Sequence, residues 1–471
     1  MKERKEYFFS AYNGPTVGYY TINGYTYYNG EDFRTAKRYK EYLDCGFNIL
    51  QVRGVNAYSG EEWEGSNCQR VFKEAWKAGC KKLIVTDNRF ERWISVDRNI
   101  VGEGRLFANE QELDKAVAEC VAPYCKQKGF FGIQLFDEPQ YCDFPAYGQL
   151  ARSLKRVLPG VYLQCNLLPL AADLPRISPE GDENNDRKEG SWKMAQETAG
   201  HHEIYKNYIS DFTDITEMDS ILFDEYPFRR EYIISGNTIP NFQIVARVCK
   251  QRGIEFRIVL QSFSHVWNNV LRNRKITESD MYWQTNLALG FGAREFSFYT
   301  YLAKPNFDYG AIENGEIDGA AFINLDGSRT ALYDYTKRII KEMKSFAKVA
   351  LKYNYESSHI VTGKEESSKD FEWTRFLYEN RKCPIDVTVD KGVAIVTKQT
   401  NAKDELYMIE NIGNVRDELF DNAPPMQVAV YLPKGKKNFY FRGKKIRVPL
   451  NEEGKYLLSL KVGDAIFIEI K

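Results

Sequence analysis

The sequence predicts an α/β protein: a (β/α)8 TIM barrel followed by a C-terminal antiparallel β-sandwich. Three observations carry that reading. Short apolar runs alternate eight times with helix-period segments over about 345 residues, a span that suits a barrel with insertions. From about residue 371 the pattern changes to short strands of alternating polarity with polar turns, over about 100 residues. No G-x-G-x-x-G or Walker-type turn follows the first strand, which disfavours an open doubly wound sheet. At 471 residues the chain exceeds a usual single domain. The barrel is expected over 1–360 and the sandwich over 361–471.

Each element follows from local pattern. The first strand is expected over 7–11, before the turn signal Asn13-Gly14-Pro15. Helical spacing covers 31–45 and stops at Gly46, and 62–78 stops at Gly79. Strands are expected over 47–52 and 82–86. A helix over 110–128, closed by Gly129, leads into the most distinctive stretch, FFGIQLFDEP. Phe130, Phe131, Ile133, Leu135 and Phe136 read as a strand buried on both faces, as parallel sheets require. Strands over 161–165, 220–223, 256–260 and 295–299 complete the eight. Helices are expected over 146–157, 198–212, 241–252, 279–289 and 330–351. The polar segment 173–191 reads as a surface loop, either a lid over the barrel mouth or a disordered insertion. In the sandwich, strands are expected over 385–389, 393–398, 405–409, 427–432, 439–441, 445–448 and 465–470.

Composition excludes several function classes. The net charge is zero, so nothing points to a nucleic-acid surface or an anionic membrane. No apolar run approaches the roughly 20 residues of a membrane span. The N-terminal MKERKEYFFSAYNG lacks the apolar core of a secretory signal, and nine scattered Cys without a C-x-x-C pair suit a reducing compartment. A cytoplasmic protein is therefore expected. Only four His occur. His201-His202 and His265 fall on a helix and a loop, out of ligand spacing with one another, and are expected to be exposed, not to bind a metal. No cofactor is expected. Aromatics are abundant, at 14% with 31 Tyr. Most belong to the core, yet such rings also stack on sugar faces.

In α/β barrels function collects at the C-terminal ends of strands. Those ends present Arg53 at the second strand, Asp87 and Arg89 at the third, and Asp137 and Glu138 at the fourth. Asn166 stands at the fifth, Asp224, Glu225 and Tyr226 at the sixth, Gln261 at the seventh, and Tyr299 and Tyr301 at the eighth. Trp267 follows the seventh strand as a stacking platform or as packing under a loop; Trp283 lies in a helix and is expected in the core. Acids, amides and aromatics at one rim suit an uncharged polyol. Glycoside hydrolysis needs a proton donor to the leaving oxygen and a group that stabilises or traps the oxocarbenium centre. Glu138 is the best donor, because two neighbouring carboxylates resist double ionisation and one pKa rises. Adjacent strand residues point in opposite directions, so both acids reach a pocket only if the strand breaks at Asp137; Pro139 favours such a break.

LFDEP resembles the Asp-Glu pair of barrel hexosaminidases of glycoside hydrolase family 123 and its relatives. That resemblance implies that Asp137 orients the substrate's 2-acetamido group, which is the nucleophile, and that Glu138 is the acid/base. Tyr226, in FDEYPF, matches a Tyr that hydrogen-bonds the acetamido oxygen in such enzymes. FINLDGSRTALY resembles the segment that closes many glycosidase barrels, and VGDAIFIEI the last strand of their C-terminal sandwiches. Two departures stand beside it. The largest barrel glycosidase clan has Asn-Glu at strand four and a nucleophilic Glu at strand seven, where this chain has Asp-Glu and Gln261. The N-terminal sandwich usual in family 123 has no counterpart ahead of the first strand.

Three functions compete. The first is a retaining, exo-acting glycosidase on a 2-acetamido sugar. The second is a two-carboxylate glycosidase that pairs Asp224 or Glu225 with Asp137 or Glu138 on a galactoside or other neutral sugar. The third is a non-catalytic carbohydrate-binding barrel. In each case the expected partner is an oligosaccharide or glycoside.

Overall fold

The computed structural model describes residues 4–179, 199–229, 235–267, 271–305, 312–313, 316–317, 320–363, 377–379, 382–413 and 424–471. Eight parallel strands form the barrel: β1 (Phe8–Ala11), β2 (Leu50–Val52), β3 (Leu83–Thr86), β4 (Phe130–Asp137), β5 (Tyr162–Leu167), β6 (Ser220–Glu225), β7 (Glu255–Gln261) and β8 (Glu295–Tyr299). Their order in the sheet is β1-β8-β7-β6-β5-β4-β3-β2. The seam between β1 and β2 is closed by the N–H groups of Asn48 and Ile49, which donate to the Phe9 carbonyl at 2.9 and 3.1 Å. The Asn48 side chain completes it, accepting from the Phe9 N–H at 2.8 Å.

Around the strands lie α1 (Ala36–Cys45), α2 (Asn67–Ala78), α3 (Asn88–Val96), α4 (Glu110–Val121), α5 (Phe144–Val157), α6 (Leu174–Ile177), α7 (Ala199–Thr216), α8 (Thr238–Arg252), α9 (Glu278–Gly290) and α10 (Ala331–Ala350). Thr35, Ser66 and Asn109 cap α1, α2 and α4 through side-chain oxygens. Gly46 and Gly79 end α1 and α2 in the left-handed conformation. Trp283 is buried, as expected. Among the described residues no helix is long and apolar enough to cross a membrane.

Several expectations are corrected. The helix expected over 31–45 begins only at Ala36, because Val17–Ile22 and Tyr25–Asp32 form an antiparallel hairpin. Its turn, Asn23-Gly24, has φ of 51° and 71°, which these two residue types accept and most others resist. The helix expected to reach 128 stops at Val121: Ala122 keeps helical backbone, but Pro123 has no N–H to bond back to the preceding turn. A helix not expected, α3, starts directly after β3 with Asp87 as its N-cap. Most of segment 173–191 lies outside the described residues, as does the side chain of His265. His201 and His202 are buried, not exposed: His201 Nε2 meets the Leu170 carbonyl at 2.6 Å. His201 thereby ties α7 to the chain that follows β5, while the His202 ring meets Tyr378 edge-on.

The C-terminal domain contains β9 (Asn354–Thr362), β10 (Asp386–Val389), β11 (Val393–Thr400), β12 (Glu405–Asn411), β13 (Met426–Tyr431), β14 (Lys437–Phe441), β15 (Lys444–Ile446), β16 (Tyr456–Leu460) and β17 (Ala465–Ile470). One antiparallel sheet runs β9-β11-β12-β17-β14-β15 and the other β10-β13-β16. Val387, Val428 and Leu458 of the smaller sheet share a core with Val396, Ile409 and Ile468 of the larger. Strand β9 spans residue 360 and pairs with β11, so the larger sheet begins at Asn354. The barrel docks here through α9: Asn286 donates to the Gly463 carbonyl at 2.9 Å, and Gln399 to the Leu289 carbonyl at 2.7 Å.

Glu410 on β12 is fully buried, and neither carboxylate oxygen has a partner among the described residues. Burial, aided by Asp464, pushes its pKa well up. In the unfolded chain it ionises near about 4.3. The stability consistent with this group is therefore full below that pH and falls as pH rises, because the unfolded state loses the proton first. Glu410→Gln is expected to raise stability at pH 8 by on the order of 1–3 kcal/mol and to change little at pH 4. Urea midpoints at the two pH values check this; an equal or opposite change at both overturns it.

Candidate active site

The barrel mouth owes its chemistry to an irregularity in β4. Its residues pair regularly with β5 up to Gln134↔Gln164, and the next pair is Asp137↔Asn166. Three steps on β4 oppose two on β5, which is one extra residue: a β-bulge. The bulge shifts the alternation of side chains and brings Asp137 onto Asn166, whose Nδ2 donates to Asp137 Oδ1 at 3.0 Å. Glu138 then leaves the strand with φ of 56°, and its N–H donates to the Asn166 carbonyl at 2.7 Å. A non-glycine residue held left-handed costs roughly 1–3 kcal/mol and tends to mark functional sites. The bulge and the left-handed turn together remove the obstacle that two adjacent acids on one strand would otherwise present.

Strand β6 shows what regular alternation does to a similar pair. Asp224 points inward, and the same Asn166 nitrogen lies 3.4 Å from its Oδ1. Asp137 Oδ1 and Asp224 Oδ1 are therefore no farther apart than the sum of those two contacts. Glu225 points outward, accepting from Thr238 Oγ1 at 2.9 Å and Asn241 Nδ2 at 2.7 Å. It fastens β6 to α8 and does not join the pocket.

Electrostatics follow this geometry. Arg53 Nη2 donates to Asp137 Oδ2 at 2.9 Å, and its guanidinium lies 4.4 Å from the ring centre of Tyr12. The Glu138 carboxyl is pushed up to about 7, first by burial and then by the Asp137 charge; Arg176, 3.5 Å away, opposes this. Asp224 is raised well above the usual carboxylate range by burial, then by Glu138 and Asp137. Lys304 is lowered to about 7 by burial and by Arg53. Tyr226, Phe263 and Tyr299 form an aromatic wall, with centroids 5.1 Å apart for Tyr226–Phe263 and 5.9 Å for Tyr226–Tyr299. Among the described residues no cluster of His, Cys, Asp and Glu is arranged to hold a metal ion.

The structure thus gathers Arg53, Asp137, Glu138, Asn166, Asp224, Tyr226 and Tyr299. It leaves others elsewhere. Gln261 is occupied by backbone, accepting from Phe228 N–H at 2.9 Å and donating to the Phe228 and Phe263 carbonyls. Asp87 is buried against Arg89 and accepts from Tyr124 Oη at 3.0 Å. Tyr301 packs on Tyr42, Phe47 and Phe322. The backbone of Trp267 forms part of a short hairpin, His265–Trp267 with Leu271–Asn273; its side chain lies outside the described residues. Sequence reasoning missed Tyr12, Arg176 and Lys304. Tyr12 immediately follows β1 and was open to the same strand-end rule. Arg176 sits on the short α6 after β5 and Lys304 in the chain after β8, where no spacing announces them.

No family model matches the chain, and no curated protein matches it in sequence. Among solved structures, the chain is similar to an α-amylase from Geobacillus thermoleovorans complexed with acarbose. The TM-score is 0.50 at 11% identity, covering 100% of this chain and 99% of that one. It is also similar to a family 39 glycoside hydrolase from Bacteroides cellulosilyticus, with TM-score 0.48, 12% identity, and 99% and 82% of the two chains covered. A family 5 glycoside hydrolase from Bacteroides vulgatus gives TM-score 0.48 and 13% identity, covering 99% and 88%. At such identities the amylase likeness speaks for the fold: a (β/α)8 barrel carrying a C-terminal antiparallel β-domain.

Proposed function

We propose that the chain is a glycoside hydrolase that retains anomeric configuration by substrate-assisted chemistry on a 2-acetamido sugar, as its resemblance to family 123 implies. The observation that carries this reading is the accessibility of the four acids. The side chains of Asp137 and Glu138 are 39% and 29% exposed, whereas Asp224 and Glu225 are 2% and 4% exposed. Of these four, the two that can touch a substrate are adjacent on one strand end. Neither reachable acid comes from a second strand, as a strand-four and strand-six pair would require.

In this reading protonated Glu138 gives its proton to the glycosidic oxygen as the bond from C1 to that oxygen breaks. The acetamido carbonyl oxygen forms the new bond to C1, and Asp137 accepts the hydrogen bond of the acetamido N–H. Arg53 and Asn166 hold Asp137 for that task. Water then attacks C1, Glu138 takes back a proton, and the acetamido group is released. Tyr226, whose hydroxyl feels the charges of Asp137 and Glu138, would donate to the acetamido oxygen. The aromatic wall supplies the stacking face.

A panel of chromogenic β-GlcNAc, β-GalNAc, β-galactoside and α-galactoside tests the reading. Turnover confined to the 2-acetamido sugars and blocked by a thiazoline analogue is expected. Turnover of galactosides would overturn it in favour of the two-carboxylate reading with Asp224, which the shared Asn166 contact brings close to Asp137.

A further inference from the structure

A cavity of about 320 Å³ lies between the N-terminal hairpin and the ends of β1 and β2, and its Arg53 reaches Asp137. That is the small end of ligand pockets and has room for one sugar ring. Its hairpin wall is Tyr19 and Tyr28, a cross-strand pair with ring centres 6.2 Å apart. Its floor includes Gln51, Arg53 and Asn56. Among the described residues Gln51 Oε1, Arg53 Nη1 and Asn56 Oδ1 have no hydrogen-bond partner. Buried polar atoms without partners are rare, and when several line one cavity they point to a ligand that supplies the missing bonds.

The lining also defines the ligand's chemistry. Two amide oxygens accept hydroxyl protons, one guanidinium nitrogen donates, and two Tyr rings offer apolar faces. Among the described residues no carboxylate lines the cavity, and the one cation that does is paired with Asp137. Arg53 is thus the shared wall between this cavity and the acids. Lys304 Nζ spans the same boundary, 5.4 Å from the Tyr19 ring centre and 5.2 Å from that of Tyr299.

We infer that this cavity is a second sugar subsite, next to the acids across Arg53, and that the natural substrate is an oligosaccharide of at least two units. The inference rests on the glycosidase reading above and deepens it. The experiment compares kcat/KM on chito-oligosaccharides of two to four units with kcat/KM on the aryl β-GlcNAc monosaccharide. In Tyr28→Ala the oligosaccharide-to-monosaccharide ratio should fall about tenfold, the worth of one lost ring contact. Tyr28→Phe, which keeps the ring, should restore it. An unchanged ratio in Tyr28→Ala overturns the inference. Calorimetric titration of chitotetraose and GlcNAc separates this from failure of the parent reading. If nothing is hydrolysed, tighter binding of the tetrasaccharide that is lost in Tyr28→Ala still supports the subsite. Equal affinity for the two sugars overturns it.

Discussion

Glu138→Gln is expected to lower kcat by roughly 10²–10⁴-fold on any substrate whose leaving group needs protonation. The amide is nearly the same size as the carboxyl, so the Asn166 and Arg176 contacts have room to persist. Ligand affinity should therefore change little. Aryl glycosides with acidic leaving groups, which depart without full protonation, should lose less. The pH profile carries the sharper sign. Burial and Asp137 hold the Glu138 carboxyl near about 7, and a general acid works only while it carries its proton. Wild-type kcat/KM should thus decline as pH rises through about 7, and the residual activity of Glu138→Gln should lack that decline. Steady-state kinetics across pH 5–9 check both statements. A non-catalytic sugar-binding barrel would instead have no turnover to lose and would keep its affinity in the variant.

The largest expected effect on stability lies on the same strand. A Cβ built on Gly132 sits 2.1 Å from the Tyr162 carbonyl oxygen and 2.8 Å from the Tyr162 Cβ. That oxygen is backbone of the adjacent strand and cannot rotate away as a side-chain tip can. Strand β4 or β5 must shift, just ahead of the bulge that delivers Asp137. Gly132→Ala should cost about 3 kcal/mol or more, and Gly132→Val should prevent folding. Gly160→Ala is the control. Gly160 has φ of 81° and open space around it, so only left-handed strain of about 1–2 kcal/mol applies. Urea denaturation should rank the two alanine variants in that order; the reverse order would mean that the approach of β4 and β5 is not constrained as described.

Much of this was legible in the sequence. Parallel barrel strands are buried on both faces and so appear as continuous apolar runs, which is why all eight could be placed. Asn23-Gly24 was an equally strong signal for the hairpin, yet the helical spacing of the residues from Ala36 onward obscured it. In the C-terminal domain, β9 was missed because Asn354–Thr362 follows α10 without a break in polarity and finds its partner only at Val393–Thr400.

The acids divide more instructively. Asp137-Glu138 and Asp224-Glu225 look alike as strings, and both end apolar strands. Their fates differ because β4 carries an extra residue opposite β5 and a left-handed Glu138, while β6 pairs regularly with β7 through Glu225↔Leu260. A register shift depends on the neighbouring strand, which no local pattern contains. The same holds for Arg53, Lys304 and Tyr12, which meet around Asp137 from the ends of β1, β2 and β8.

The sequence by itself determined the barrel, the C-terminal β-domain and the strand that presents Asp137 and Glu138, because periodicity and strand-end position are local properties. Only the tertiary structure decided which acids reach the mouth, which carboxyl holds its proton near neutral pH, and that a polar cavity adjoins them. Burial, charge proximity and ladder register all arise between segments far apart in the chain.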